Sequence, residues 1–184
     1  MNSLFEQRKS AIVKGELYFW TATINNWKHP LEADAMKMEI IGSLQWLRAR
    51  GLISVYTYVI MPNHIHLIWQ VHGNNGKESP QGSLLKFTAH QFRKKLLSDA
   101  PSVLKEYEVL AANKQHKFWQ RDSLAQVLYS RPFTMDKLEY LLNNPVSGKW
   151  QLADTPAHYR FSSSSFYETG LDEFDILTHI SEVL

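Results

Sequence analysis

Two hydrophobic periods alternate along the chain. Residues 16–24, ELYFWTATI, form a short run of aromatic and β-branched positions, as a buried strand does. Residues 33–50 then carry Met36, Ile40, Leu44 and Leu47 at helical spacing, and Gly51 supplies a stop. Two further strand-like runs follow, LISVYTYVI over 52–60 and HIHLIWQV over 64–71. Only MPN separates them, so they are expected to pair as an antiparallel hairpin. After a Gly/Asn/Pro-rich loop at 72–82, residues 83–99 return to helical spacing, with Leu85, Ala89, Phe92 and Leu96 on one side. Residues 102–116 are polar and hold at most a short helix, and AQVLYS at 125–130 reads as a fourth strand. A helix is expected to open near Thr134 as its N-cap and to end before Pro145. The serine run at 162–165 reads as a turn or loop, and LDEFDILTHISEVL as a terminal helix.

This order of elements predicts an α+β fold, a ferredoxin-like antiparallel sheet with flanking helices. One domain is expected over 1–184, with a core at about 16–168 and a helical tail at 170–184. The 184 residues, 44% hydrophobic and 21% charged, suit a soluble globular chain with a full core. No window approaches the roughly 18 uninterrupted apolar residues that a membrane span needs. The N-terminus lacks the apolar region of a signal peptide, so a cytoplasmic location is expected. The absence of cysteine excludes disulfides, thiolate zinc sites and cysteine nucleophiles, and it suits a reducing compartment. A net charge of +2 permits a nucleic-acid partner without demanding one.

Candidate chemistry begins on the third strand. Side chains alternate there, so Ile65, Leu67, Trp69 and Val71 share one face and His64, His66, Ile68 and Gln70 the other. The first set is a clean core face, and the histidines lie opposite it. Two imidazoles two residues apart on a strand are close enough to bind one cation together. Pro62 and Asn63 put them beside a turn, where solvent and substrate are expected to reach. The same pattern fits two half-exposed histidines with no special task.

The helix after residue 134, TMDKLEYLLNNP, has its apolar stripe at Leu138, Leu141 and Leu142. Tyr140 lies off that stripe and shares a face with Lys137 and Asn144. Locally, Tyr140 fits an amphipathic rim and Asn144 an ordinary helix stop before proline.

In combination these features say more. YVIMPNHIHLIW resembles the histidine motif of the single-tyrosine HUH transposases, and KLEYLLNNPVSGKW their tyrosine-helix motif. The resemblance is closer to the REP-associated tyrosine transposases. KFWQRDSLAQVLYS and HYRFSSSSFYE resemble that family's strand before the tyrosine helix and its C-terminal segment, so the likeness runs from about residue 16 to 168. It implies a ferredoxin-like fold with the histidines on the central sheet and the tyrosine on a flanking helix. By the same likeness, His64 and His66 would hold Mg²⁺ or Mn²⁺, Asn144 would add an amide oxygen as third ligand, and Tyr140 would be the nucleophile. Asparagine rather than glutamine at position 144 favours the REP-associated branch.

The implied activity is cleavage and joining of single-stranded DNA at a hairpin or palindrome, through a covalent 5′-phosphotyrosine. A phenol with a pKa of about 10 is a poor nucleophile at neutral pH until a nearby cation favours the phenolate. Two imidazoles and one amide oxygen leave positions open for a phosphate. The implied partner is single-stranded or hairpin DNA, the implied place the nucleoid, and relatives act as monomers or homodimers. The alternative is a domesticated DNA-binding protein that no longer transposes. A hydrolase using activated water lacks the carboxylate base expected near the histidines.

Lys86, His90, Arg93 and Lys94, backed by Lys95, form the polar side of the second helix. Such a face contacts DNA phosphates without reading sequence, or is simply solvated. Trp119, Phe118 and Trp27 are candidates for base stacking as well as for core packing. Tyr129, Tyr159 and Tyr167 lack an asparagine four residues on, and His72 falls outside the motif.

Overall fold

The first strand, β1 (Leu17–Thr23), sits in the interior of a four-stranded sheet. After it come α1 (Asp34–Ala49), β2 (Ile53–Met61), β3 (His64–Val71), α2 (Pro80–Asp99), α3 (Pro101–Lys105), β4 (Leu124–Val127), α4 (Arg131–Asn143) and α5 (Ser164–Thr169). The computed structural model describes residues 12–110 and 115–184. Strand order is β2-β3-β1-β4 with every neighbouring pair antiparallel, which is the ferredoxin-like arrangement expected. The crossovers through α1 and α2 bring those two helices together on one side of the sheet. There Ile40, Leu44 and Leu47 of α1 and Leu84 and Phe92 of α2 are buried. Among the described residues no helix is long and apolar enough to cross a membrane.

Capping chemistry sets the helix starts, and it does so earlier than periodicity suggests. Ser130 Oγ accepts from the Phe133 amide at 3.4 Å, and a proline occupies the first turn. The α4 helix therefore opens at Arg131. Thr134, expected as the cap, instead donates its hydroxyl back to the Ser130 carbonyl at 2.9 Å. Ser79 caps α2 in the same way by accepting from the Gly82 amide. The β2–β3 hairpin forms as expected, with Met61 opposite His64 and only Pro62 and Asn63 in the turn.

The C-terminal segment differs from the sequence expectation. Residues 170–184 contain one short 3-10 turn, Ile180–Glu182, rather than a terminal helix. The Asp172 carboxylate accepts from the backbone amides of Phe174, Ile176 and Leu177, and such bonds compete with helix formation. The chain beyond it runs along β2, where the Thr178 amide donates to the Val55 carbonyl at 2.9 Å. The serine run is not an open loop either. Ser162, Ser163 and Ser164 are buried, and α5 starts within the run. The Ile60 amide donates to the Phe161 carbonyl, and the Tyr159 and Tyr167 hydroxyls donate to the carbonyls of Ile60 and Tyr56, each at 2.7 Å. An otherwise open edge strand is thereby closed.

Candidate active site

Strand register assembles the floor of the site. Thr21 of β1 stands opposite His66 of β3, and Thr23 opposite His64, so these side chains share one face of the sheet with Phe19. The two imidazoles meet edge to face with centroids 4.6 Å apart, and Phe19 stacks on His66 at 5.2 Å. His66 Nδ1 lies 2.6 Å from Thr21 Oγ1. His64 Nδ1 lies 2.6 Å from Asn63 Oδ1. Asn63 donates its own Nδ2 to the Trp27 carbonyl, so its oxygen is the atom turned to His64. His64 therefore donates from Nδ1, and its Nε2 keeps a lone pair. Thr21 can accept from His66 in the same sense, and neither Nε2 has a hydrogen-bond partner among the described residues.

Burial keeps both rings neutral. Desolvation, with the positive charge of Lys149 behind it, lowers His64 to about 4. His66 is held well below the usual histidine range by desolvation, then by His64 and Lys137. A neutral imidazole is the form that ligates metal. The expectation that both histidines sit within easy reach of solvent needs correction, because His66 is only 7% exposed. The cause is α4, which packs on β2 and β3 and covers the histidine face.

Tyr140 of α4 projects over that floor, its ring 5.7 Å from the His66 ring and 6.2 Å from Phe19. It is 51% exposed, which leaves the phenol open to a substrate. Lys137, one turn earlier, holds its ammonium 5.1 Å from the Phe19 ring. Asn144 lies one turn beyond Tyr140, and its backbone is still helical. It is buried, and its Oδ1 has no hydrogen-bond partner among the described residues. An acceptor left buried in this way costs about 1–3 kcal/mol unless something fills it. Two imidazoles with open Nε2 atoms and an orphaned amide oxygen on the adjoining helix fit a divalent cation. No cluster of three His, Cys, Asp or Glu side chains exists among the described residues, so a carboxylate does not complete the set.

Contacts from the chain beyond α4 hold this arrangement. Ser164 Oγ donates to the Leu142 carbonyl at 2.9 Å, fastening the C-terminal end of α4. Gly148, at φ 59, turns the chain so that Trp150 leans on His64 and His29, at 6.1 and 5.6 Å between ring centroids. Thr21, Phe19, Lys149 and Trp150 are not among the residues the sequence points to, and Asn63 is read there only as part of the turn. Lys149 and Trp150 end the KLEYLLNNPVSGKW segment, a readable signal. The roles of Thr21 and Phe19 depend on cross-strand register.

The basic candidates of α2 divide. Lys86, His90 and Arg93 line a groove of about 1100 Å³, whose other wall is residues 115–121. Lys94 is exposed outside it. Phe118 and Trp119 are core residues, with Trp119 Nε1 donating to Thr88 Oγ1 at 3.0 Å, whereas Trp27 is on the surface. Tyr129 is exposed and stacks on Phe133, and His72 Nε2 pairs with Ser54 Oγ at 2.8 Å.

Fold and site together define a ferredoxin-like α+β chain with a His-x-His strand beneath a helix-borne tyrosine. Among solved structures, a REP-associated tyrosine transposase bound to a REP hairpin matches with a TM-score of 0.61 and 19% identity, over 97% of this chain and 93% of that one. The two share their fold over nearly their full lengths. No protein-family profile and no curated protein matches the sequence.

Proposed function

We propose that this protein is a metal-dependent single-strand DNA endonuclease and strand transferase, a transposase that forms a 5′-phosphotyrosine at hairpin or palindromic DNA. The observation that carries the reading is the exposed Tyr140 ring 5.7 Å from His66, on a helix whose end bears the orphaned Asn144 oxygen. DNA as the substrate draws support from the shared fold with a hairpin-bound transposase and from the basic residues Lys86, His90 and Arg93.

His64, His66 and Asn144 would hold Mg²⁺ or Mn²⁺, and the imidazoles favour Mn²⁺ because they are softer than the oxygen ligands Mg²⁺ prefers. When bound, the cation supplies charge relief on a non-bridging phosphate oxygen and favours the phenolate. The Tyr140 oxygen attacks phosphorus and the bond from phosphorus to the 3′ oxygen breaks. The phenol proton passes to solvent, and the departing 3′ oxygen takes up a proton. One phosphoester replaces another, so attack by a free 3′-OH in the reverse direction joins strands with no energy source. Lys137 adds positive charge beside the attacking group, and the partial exposure of Tyr140 admits the strand.

The test is incubation with a labelled hairpin-bearing single strand and Mn²⁺, followed by a denaturing gel. Wild-type protein is expected to carry label and Tyr140→Phe to carry none. An adduct that persists in Tyr140→Phe removes Tyr140 as nucleophile. Binding with no adduct under any metal indicates a DNA-binding protein that does not cut.

A further inference from the structure

We infer that an unpaired strand crosses the Tyr140 site in one fixed direction. Lys149 and Trp150 hold the segment that leaves with the 3′ hydroxyl, and Lys137 and Tyr129 hold the segment that becomes joined to Tyr140. The inference rests on the proposed DNA-processing function and deepens it by assigning the path and polarity of the strand.

The sheet supplies the path. The α4 helix packs on β2 and β3, which leaves the β1–β4 half of the site face uncovered. Leu124 and Gln126 stand opposite Thr21 and Phe19, so they share that face, and both are exposed. From His64 to Ile68, the cross-strand partner of Phe19, β3 rises roughly 13 Å. That length accommodates about four nucleotide steps at about 3.4 Å each along one strand.

Each end of the path pairs a cation with a ring. At the His64 end, Trp150 lies 6.1 Å from the His64 ring, and the Lys149 ammonium is 4.9 Å from the indole. At the other end, the Lys137 ammonium is 5.1 Å from Phe19 and 5.4 Å from Phe133. Phe133 in turn stacks on Tyr129, whose side chain is 79% exposed. Neither lysine makes an ion pair among the described residues. Beyond desolvation, Lys149 bears on His64 and, with His64 itself, Lys137 bears on His66, so the two charges flank the histidine pair. A cation for the phosphate beside a ring for the base is the combination that grips an unpaired strand.

Displacement at phosphorus sets the direction. Tyr140 packs on His66 and Phe19, so a phosphate at the histidine pair meets the phenol from the Phe19 end. Attacking and leaving oxygens lie roughly in line across phosphorus. As the bond to Tyr140 forms, the bond to the 3′ oxygen breaks on the far side, toward His64, Lys149 and Trp150. The strand that stays on Tyr140 continues toward Lys137 and Tyr129. A departing segment held by Lys149 and Trp150 keeps its 3′ hydroxyl at hand for the joining step.

The path is tested without metal, by binding of a short oligothymidylate as a function of salt. Lys137→Gln and Lys149→Gln are each expected to flatten the slope of log K against log salt by about 0.7. Each should weaken binding by about fivefold at 0.1 M salt, fading toward 1 M. Trp150→Leu should cost about fivefold or more at every salt concentration, and Trp150→Phe should recover most of it. The path falls if both lysine variants bind as wild type does, or if Lys94→Gln on α2 costs as much as either. Direction is tested with Mn²⁺ on the hairpin-bearing strand, the cut position being given by the length of its free 3′-OH fragment. A methylphosphonate in place of the phosphate on the 5′ side of the cut should slow adduct formation at subsaturating DNA by about fivefold in wild type and Lys137→Gln. It should have no further effect in Lys149→Gln. On the 3′ side of the cut the two variants should exchange behaviour. The opposite pairing, or additive losses in every combination, overturns the polarity. A wild-type protein that forms no adduct, while both lysine variants flatten the salt slope, keeps the strand path and removes the cleavage reading together with the polarity.

Discussion

His66 Nδ1 and Thr21 Oγ1 stand 2.6 Å apart across the β1–β3 ladder, at positions directly opposite in register. The pairing fixes the rotation of the more buried imidazole and, with Thr21 as acceptor, leaves its Nε2 unprotonated. A partner on the non-ligating nitrogen commonly changes metal affinity by about 10–100-fold. Thr21→Val removes the acceptor at nearly constant volume, so Mn²⁺ binding by calorimetry should weaken by about that factor. Thr21→Ser should restore it. Nitrogen NMR of the metal-free variant should show His66 exchanging between tautomers, a change that loss of packing alone does not produce. Wild-type Mn²⁺ affinity in Thr21→Val would remove Thr21 as a positioning residue.

Asn144 carries an opposite signature. Its buried, unpartnered Oδ1 costs stability in the metal-free protein, and an apolar replacement of similar shape relieves that cost. Asn144→Leu is therefore expected to raise the metal-free unfolding free energy in urea by about 1 kcal/mol. Wild-type protein should gain about 2.7 kcal/mol at a metal concentration one hundred times its Kd, and the variant should gain far less at the same concentration. If wild-type stability does not respond to Mn²⁺ or Mg²⁺, Asn144 has no claim as a ligand.

Alkaline pH probes the closed sheet edge. Desolvation raises Tyr167 and Tyr107 to about 12 and raises Tyr159 and Tyr58 as well. A raised folded-state pKa means that the native protein keeps its phenolic protons while the unfolded chain loses them near pH 10. Stability is thus fully present below about pH 10 and falls as the pH climbs toward 12. Urea midpoints should stay level from pH 8 to 9 and drop by pH 11. Tyr167→Phe should lower the midpoint at every pH and make that drop shallower. A midpoint that is level to pH 11 contradicts the burial assigned to these four side chains.

What the sequence reveals of this fold is what local period and capping encode. Short aromatic and β-branched runs mark β1, β2 and β3, the short MPN turn dictates the hairpin, and strand alternation gives the face that His64 and His66 share. Periodicity alone cannot place the start of α4, because Ser130 and a first-turn proline act ahead of the apolar stripe. The terminal segment has helical spacing, yet Asp172 and the open edge of β2 offer its backbone better partners. The burial of His66 follows from where α4 docks, and the bond to Thr21 from register. Neither is a property of the local sequence. The same holds for α2, where Lys86, Arg93 and Lys94 look alike until residues 115–121 supply the second wall of a groove that includes only the first two.

Ser164 joins the C-terminal segment to the active site, because its hydroxyl donates to the carbonyl of Leu142, two residues beyond Tyr140. The last carbonyls of a helix have no partner inside the helix, so this bond decides how firmly the end of α4 is held. Ser164→Ala should cost about 1 kcal/mol of stability, the ordinary net value of one hydrogen bond. A larger effect is expected on chemistry, since a misplacement of about 1 Å in a reacting group can slow reaction by about a hundredfold. The rate of adduct formation at saturating DNA and Mn²⁺, measured where the variant is fully folded, should fall by at least tenfold, with DNA affinity unchanged. Ser165→Ala, which removes a bond to Thr169 inside α5, serves as the comparison and should leave that rate alone. If both variants react at the wild-type rate, the attachment of α4 through Ser164 is a matter of stability, and Tyr140 is positioned by its packing on Phe19 and His66 instead.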